Sequence, residues 1–304
     1  MERPPAVTTV AVPQVPARLG RFVLRMFRPH VYGTYGLLWV LALEGSAVAA
    51  TGTAWRPSDA TWLRVVSVVL ALLFLRMLDE QKDLDYDRVH HPDRPLVTGA
   101  ITTAELRGAM AAITALLVGL NAALSATAAL LILAALGYGV LLAVLERLSS
   151  AVRDRQLLNL AVTYPVQVIL GGYVYGSLVA EGSVDADWRG PVLLALCAGV
   201  FLHFEFARKT AWEATDGERL YSTDLGPRRS AAVTAGCAAV AVGCELALLA
   251  PSGPLVLLPC AAVLLPVWGT RRFLTAGRGP WPVAAAMFFI IATYLGLVVR
   301  AVLL

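Results

Sequence analysis

WLRVVSVVLALLFLRMLDEQKDLDYDRVHHPDRPLVTG, residues 62–99, begins as an apolar run and turns abruptly into one of the densest charged passages of the chain. The run is long enough to cross a bilayer, for which about 20 mostly apolar residues suffice. Four aspartates and a glutamate then fall within nine residues, DEQKDLDYD. Asp79, Asp83 and Asp87 are spaced i, i+4, i+8, which on a helix stacks them along one face. Like charges at that spacing destabilise a helix by a few tenths of a kcal/mol per pair. A divalent cation reverses the sign of that interaction. Mg²⁺ takes oxygen ligands, commonly one or two carboxylates plus substrate phosphates, so the stripe suits a magnesium-bound diphosphate. A solvated acidic loop is the alternative that spacing alone leaves open.

The rest of the chain sets the context of that stripe. Of 304 residues 58% are hydrophobic and 15% charged, with a mean hydropathy of +0.69, above the roughly 45–50% apolar content of globular domains. The apolar residues fall in blocks near 33–52, 62–79, 104–122, 124–145, 158–180, 189–206, 231–250, 254–270 and 282–303. About nine spans are therefore expected, in an all-α polytopic membrane protein integral to the cell membrane. Asn121 and its neighbours would turn the third span into the fourth, and PSGP, 251–254, the seventh into the eighth. Residues 1–23, rich in proline, are expected to form a flexible tail and residues 24–304 a single transmembrane domain.

Basic residues mark the sides. Arg18, Arg21, Arg25 and Arg28 precede the first span, and alternate loops carry Lys82, Arg88 and Arg94; Arg147, Arg153 and Arg155; Arg208, Lys209 and Arg219; and Arg271, Arg272 and Arg278. The positive-inside rule places these loops and the N-terminus in the cytoplasm. The net charge of +4 reflects that sidedness and calls for no nucleic acid. Cys197, Cys237, Cys244 and Cys260 lie inside apolar blocks without CxxC spacing and read as packing residues. No P-loop, zinc spacing or Ser–His–Asp order is present, and His90 and His91 read as solvated loop residues.

A second charged loop, HFEFARKTAWEATDGERLYSTDLG (203–226), follows the sixth block and opens on the same side. It holds Glu205, Glu213, Asp216 and Glu218 with Arg208, Lys209 and Arg219. Glu205 and Glu213, eight apart, would share a helix face with Lys209 between them. Both charged loops end in a glycine stretch, RPLVTG and YSTDLG, so the chain has two similarly organised halves. Within the spans, Glu44, Asn121, Asn159, Gln167 and Glu245 would be costly against lipid and should face the bundle.

These residues carry a family resemblance. DEQKDLDYD resembles the NDxxDxxxD first motif of the UbiA superfamily of intramembrane prenyltransferases, with Asp79 at the Asn position, Glu80 at the first Asp, and Asp83 and Asp87 in register. RPLVTGAIT is similar to that family's RPLxxGxIT continuation through Arg94, Pro95, Gly99, Ile101 and Thr102, and FRPH (27–30) to its entry into the first helix. The likeness covers about residues 24–304. The family's second motif, DxxxD, falls on Glu205 and Lys209, and a lysine cannot ligate a metal.

The resemblance implies a helical bundle whose polar cytosolic loops cap a central cavity. It implies Mg²⁺ held by Asp79, Glu80, Asp83, Asp87 and Glu205, with Asp79, Asp83, Asp87 and Glu205 catalytic. Lys82, Arg94, Arg208 and Lys209 are then candidates to bind the diphosphate, and Asn159, Tyr164, Gln167 and Tyr173 to line the chamber. Aromatic faces that could stabilise an allylic cation are offered by Tyr164, Tyr173, Tyr175, Phe201, Phe204 and Trp212. The expected reaction ionises a prenyl diphosphate and transfers the prenyl group to a small aromatic acceptor. A terpene cyclase of the same superfamily, acting without acceptor, and an ion or small-molecule transporter are the alternatives. A transporter predicts mid-span ionisable residues and broken helices in both halves, whereas here the carboxylates crowd one membrane face.

Overall fold

The computed structural model describes residues 14–214, 218–248 and 257–303. Their architecture is all-α. Helices α1 (Gln14–Phe22), α2 (Pro29–Ala49), α3 (Asp59–Lys82), α4 (Leu84–His90), α5 (Thr103–Leu124), α6 (Ala126–Leu148), α7 (Ser150–Asp154), α8 (Gln156–Thr163), α9 (Pro165–Ala180) and α10 (Arg189–Arg208) are followed by α11 (Tyr221–Leu225), α12 (Pro227–Leu248), α13 (Leu257–Ala262), α14 (Leu264–Ala276) and α15 (Val283–Leu303). Among the described residues, eight helical segments are long and apolar enough to cross a membrane, with α8 and α9 counted as one. The chain is a multi-pass membrane protein.

The eighth expected span, 254–270, differs. Its described part is two short helices, α13 and α14, separated at Val263. Pro266 has no N–H to give the carbonyl of Ala262, so the ladder is interrupted there. Pro165 has the same effect on Ala161 and separates α8 from α9 at Tyr164. The turn between the third and fourth spans sits at Ser125, not Asn121, with the Ser125 hydroxyl accepting from the Ala128 N–H at 3.0 Å. The PSGP turn lies outside the described residues. So do residues 1–13; the remainder of the expected tail is not free, because α1 packs Phe22 into the bundle and Arg18 pairs with Glu105.

Helices of both halves share one core. Trp39, Val40 and Leu43 of α2, Val68 and Phe74 of α3, Ile132 and Leu136 of α6, Leu170 and Val174 of α9, Leu196 and Val200 of α10, and Phe289 of α15 belong to it. Apolar side chains on the outer surface, such as Leu130, Leu264 and Phe288, are what a bundle in lipid presents. The polar residues expected to face inward do so: Glu44, Asn121 and Glu245 are buried. Glu44 accepts from Trp55 at 3.1 Å, Thr61 at 2.5 Å and Arg64 at 3.0 Å. Arg64 in turn donates to Ser177 at 2.7 Å and pairs with Glu181, tying α2, α3 and α9 together at the end of the bundle away from the acidic stripe.

Gly99 and Gly226, which close the two charged loops, have φ of +73° and +80°. A Cβ is disfavoured in that region, and each glycine lets its loop turn back towards the next long helix. Thr102 then starts α5 with a capping box, its hydroxyl accepting from Glu105 N–H at 3.2 Å while Glu105 accepts from Thr102 N–H at 2.9 Å.

Candidate active site

The acidic stripe survives a break in its helix. α3 stops at Lys82 and α4 begins at Leu84, yet Asp83 N–H still donates to the Asp79 carbonyl at 2.9 Å and Asp87 N–H to the Asp83 carbonyl at 2.8 Å. The i, i+4 register is therefore kept, and Asp79, Asp83 and Asp87 all line one cavity of about 660 Å³. Burial pushes the Asp83 carboxyl above its ordinary range; the Asp79, Asp87 and Glu146 carboxylates push the same way, against the ammonium of Lys82. Asp87 is 2% exposed. Arg94 donates to its Oδ2 at 2.5 Å, while its Oδ1 is buried without a hydrogen-bond partner.

Glu80, expected beside these as a metal ligand, points elsewhere. It is buried, pairs with Arg76 and with Arg94 at 3.3 Å, and does not line the cavity. The residue after Asp79 on a helix faces about 100° away, which places Glu80 against the arginines instead of on the stripe.

From the other half, Glu205, Arg208 and Lys209 reach the same cavity from the end of α10. Arg208 donates to Glu205 Oε2 through Nε at 2.6 Å and to Oε1 through Nη2 at 3.0 Å. Lys209 Nζ lies 2.9 Å from Oε1, and the Tyr221 hydroxyl donates to Oε1 at 3.0 Å. Burial, with the Glu205 carboxylate adding to it, raises the Tyr221 phenol above its usual range and keeps it a donor. Oε1 thus accepts three bonds and Oε2 one, and two cations neutralise the carboxylate that was expected to hold a metal. Glu213 does not join it: α10 ends at Arg208, and Glu213 is exposed in the loop beyond. Asp216 lies outside the described residues. The loop is fixed by Trp212 N–H donating to Gly279 O at 3.0 Å, Trp281 N–H to Thr210 O at 2.9 Å, and Tyr221 N–H to Lys209 O at 2.9 Å.

Glu146, Tyr86, Arg219 and Tyr221 also line the cavity, although sequence did not single them out as parts of a site. Glu146, buried near the C-terminus of α6, accepts from Lys82 and from Asn159, at 3.2 and 2.9 Å, so Lys82 is held between it and Asp79, 3.3 Å away. Arg219 lies over the Tyr86 ring at 4.5 Å, bridging the two charged loops.

The chamber expectations divide. Asn159, Tyr164 and Gln167 line the cavity; Tyr164 donates to Ala198 O at 2.8 Å and its ring meets that of Phe201, centroids 5.8 Å apart. Tyr173 does not line it. It is fully buried and donates to Asn121 Oδ1 at 2.7 Å, Asn121 in turn donating to Ser67 at 2.9 Å. Of the aromatic candidates, Tyr164 and Phe201 reach the cavity, whereas Tyr173, Tyr175, Phe204 and Trp212 do not. Leu72, Leu75, Leu142, Leu160 and Val166 form an apolar wall.

Fold and site together define a polytopic helical protein with an intramembrane cavity, apolar along its walls and ringed by charge at one end. No family model matches the chain. It is 32% identical to the digeranylgeranylglyceryl phosphate synthase of Methanoculleus marisnigri over 234 residues, 73% of this chain and 75% of the relative. Its fold is similar to that of a UbiA homologue from Aeropyrum pernix K1, with a TM-score of 0.59, 20% identity, and coverage of 86% of this chain and 97% of the other. A UbiA homologue from Archaeoglobus fulgidus bound to GPP and Mg²⁺ gives 0.61, 16%, 93% and 100%. The chain belongs to the UbiA superfamily of intramembrane prenyltransferases.

Proposed function

We propose that this protein is a magnesium-dependent prenyltransferase that ionises a prenyl diphosphate at the cytoplasmic face of the membrane and transfers the prenyl group to a separate acceptor. One observation carries the reading: Asp79, Asp83 and Asp87 from the first half and Arg208 and Lys209 from the second line a single cavity that continues into an apolar wall. The digeranylgeranylglyceryl phosphate synthase relative and the A. fulgidus homologue bound to GPP and Mg²⁺ support it.

The donor set fits a hard cation. Among the described residues no three Asp, Glu, His or Cys side chains close a cage on their own, and Mg²⁺ typically takes one or two carboxylates and completes its shell with substrate phosphate and water. Asp79, Asp83 and the unpartnered Oδ1 of Asp87 would hold it, and when bound it supplies Lewis-acid neutralisation of charge on the departing diphosphate.

The chain's own groups do the rest. Arg208 and Lys209 hold the diphosphate from the opposite wall, with Lys82 and Arg94 on the near side. The C1–O bond breaks with its electron pair leaving on the diphosphate. The leucine-lined wall keeps water from the allylic cation, and the rings of Tyr164 and Phe201 offer it their negative faces. The acceptor then gives an electron pair to C1 and loses a proton.

The test is mass spectrometry of products from purified protein given Mg²⁺ and prenyl diphosphates of several lengths, with a phenolic acceptor, a glyceryl phosphate acceptor, or none. A prenylated acceptor that disappears in EDTA is the expected result. A cyclic hydrocarbon or alcohol formed without acceptor would replace transfer by cyclisation, and turnover undiminished in EDTA would remove the metal.

A further inference from the structure

The two walls of the cavity are not equivalent. On the first, Asp79 and Asp83 face the cavity and Asp87 keeps one carboxylate oxygen without a partner. On the second, the carboxylate that α10 presents is engaged: Glu205, 7% exposed, receives two bonds from Arg208 and one each from Lys209 and Tyr221, and Glu218 lines the cavity from the loop beyond, next to Arg219 in the chain. Two negative groups, Glu205 and Glu218, against three positive ones, Arg208, Lys209 and Arg219, leave that wall at net +1. The Glu205 bonds use two of the five N–H donors of the Arg208 guanidinium. The remaining three, and the ammonium of Lys209, are donors that can reach an anion in the cavity, which both side chains line.

Resting on the proposed function, we infer that the site takes a single divalent cation, on the first wall alone, and that Arg208 and Lys209 occupy the electrostatic place of a second metal. They would bind the diphosphate directly, the guanidinium as a planar fork and the ammonium as a point charge. Glu205 is then a positioning residue. It anchors the Nε edge of Arg208 and leaves the opposite edge towards the substrate. Tyr221 assists by capping Oε1, and it also accepts from Lys209 Nζ at 3.3 Å, so the lysine is held from two sides.

Electron paramagnetic resonance of Mn²⁺ bound to the full-length purified protein, titrated at saturating inorganic diphosphate, counts the metals. One bound Mn²⁺ per chain is expected; two would overturn the inference and leave the proposed function standing. In a second measurement, inorganic diphosphate is titrated calorimetrically in EDTA. The wild-type protein should bind it without metal, and Arg208→Gln and Lys209→Met should each weaken that binding about tenfold or more, the loss of one charge-assisted contact. Metal-free affinity unchanged in both variants overturns the role given to these cations. Absence of both Mn²⁺ and diphosphate binding in the wild type would overturn the reading of function as well.

Discussion

Replacing Arg94 with alanine removes the side chain that joins the acidic stripe to Glu80. Its Nη1 donates to Asp87 Oδ2 at 2.5 Å and to Glu80 Oε1 at 3.3 Å. Hydrogen bonds to charged groups contribute about 1.5–3 kcal/mol each. The bond to Asp87 belongs at the upper end, because it is short and Asp87 is buried with its other oxygen already unpartnered. The bond to Glu80 belongs at the lower end, since Arg76 remains on that carboxylate. The sum, about 3–5 kcal/mol, is also what removing one partner of a buried ion pair costs. The assay is equilibrium unfolding of Arg94→Ala, Asp87→Ala and the double variant in detergent. Arg94→Ala should be destabilised by that amount and the pair should show a coupling of about 1.5–3 kcal/mol. Effects that add within about 0.5 kcal/mol, as those of distant independent sites do, would refute the reasoning.

Glu146→Gln should leave the protein folded and lower kcat/KM for the prenyl diphosphate about tenfold, equivalent to ~1.4 kcal/mol, because Lys82 loses the carboxylate that positions it; unchanged steady-state kinetics would contradict that role. Arg64→Leu should destabilise the bundle by about 3–5 kcal/mol, since it strands Glu44 in the core, and a loss under about 1 kcal/mol on denaturant unfolding would contradict the buried network.

The first half of the site was legible because its information is local. Asp79, Asp83 and Asp87 declare a shared face by spacing alone, and backbone bonds carry that spacing through the break at Asp83. Lys209 in place of a second carboxylate could be read directly, and the structure gives it a partner in Glu205. What escaped depends on contacts between distant segments. Glu146 sits just past an apolar block beside Arg147, where it cannot be told from an ordinary flanking charge. Tyr221 looked like a loop residue and acquires its role only when the 209–221 segment folds back on α10. Tyr173 was placed in the chamber because a helix apolar on all sides does not reveal which face meets a cavity. The interruption between α13 and α14 had a signal in Pro266. The helix at Gln14–Phe22 was masked by Pro16, although a proline in the first turn of a helix is tolerated.

The most direct test of the central claim is a structure of the protein with Mn²⁺ and an unreactive prenyl thiodiphosphate, located by the anomalous scattering of the metal. The account predicts manganese against Asp79, Asp83 and Asp87, the diphosphate between that metal and the Arg208–Lys209 wall, and the tail along Leu72, Leu142 and Val166. A diphosphate bound away from either wall, or metal coordinated by Glu205, would contradict it.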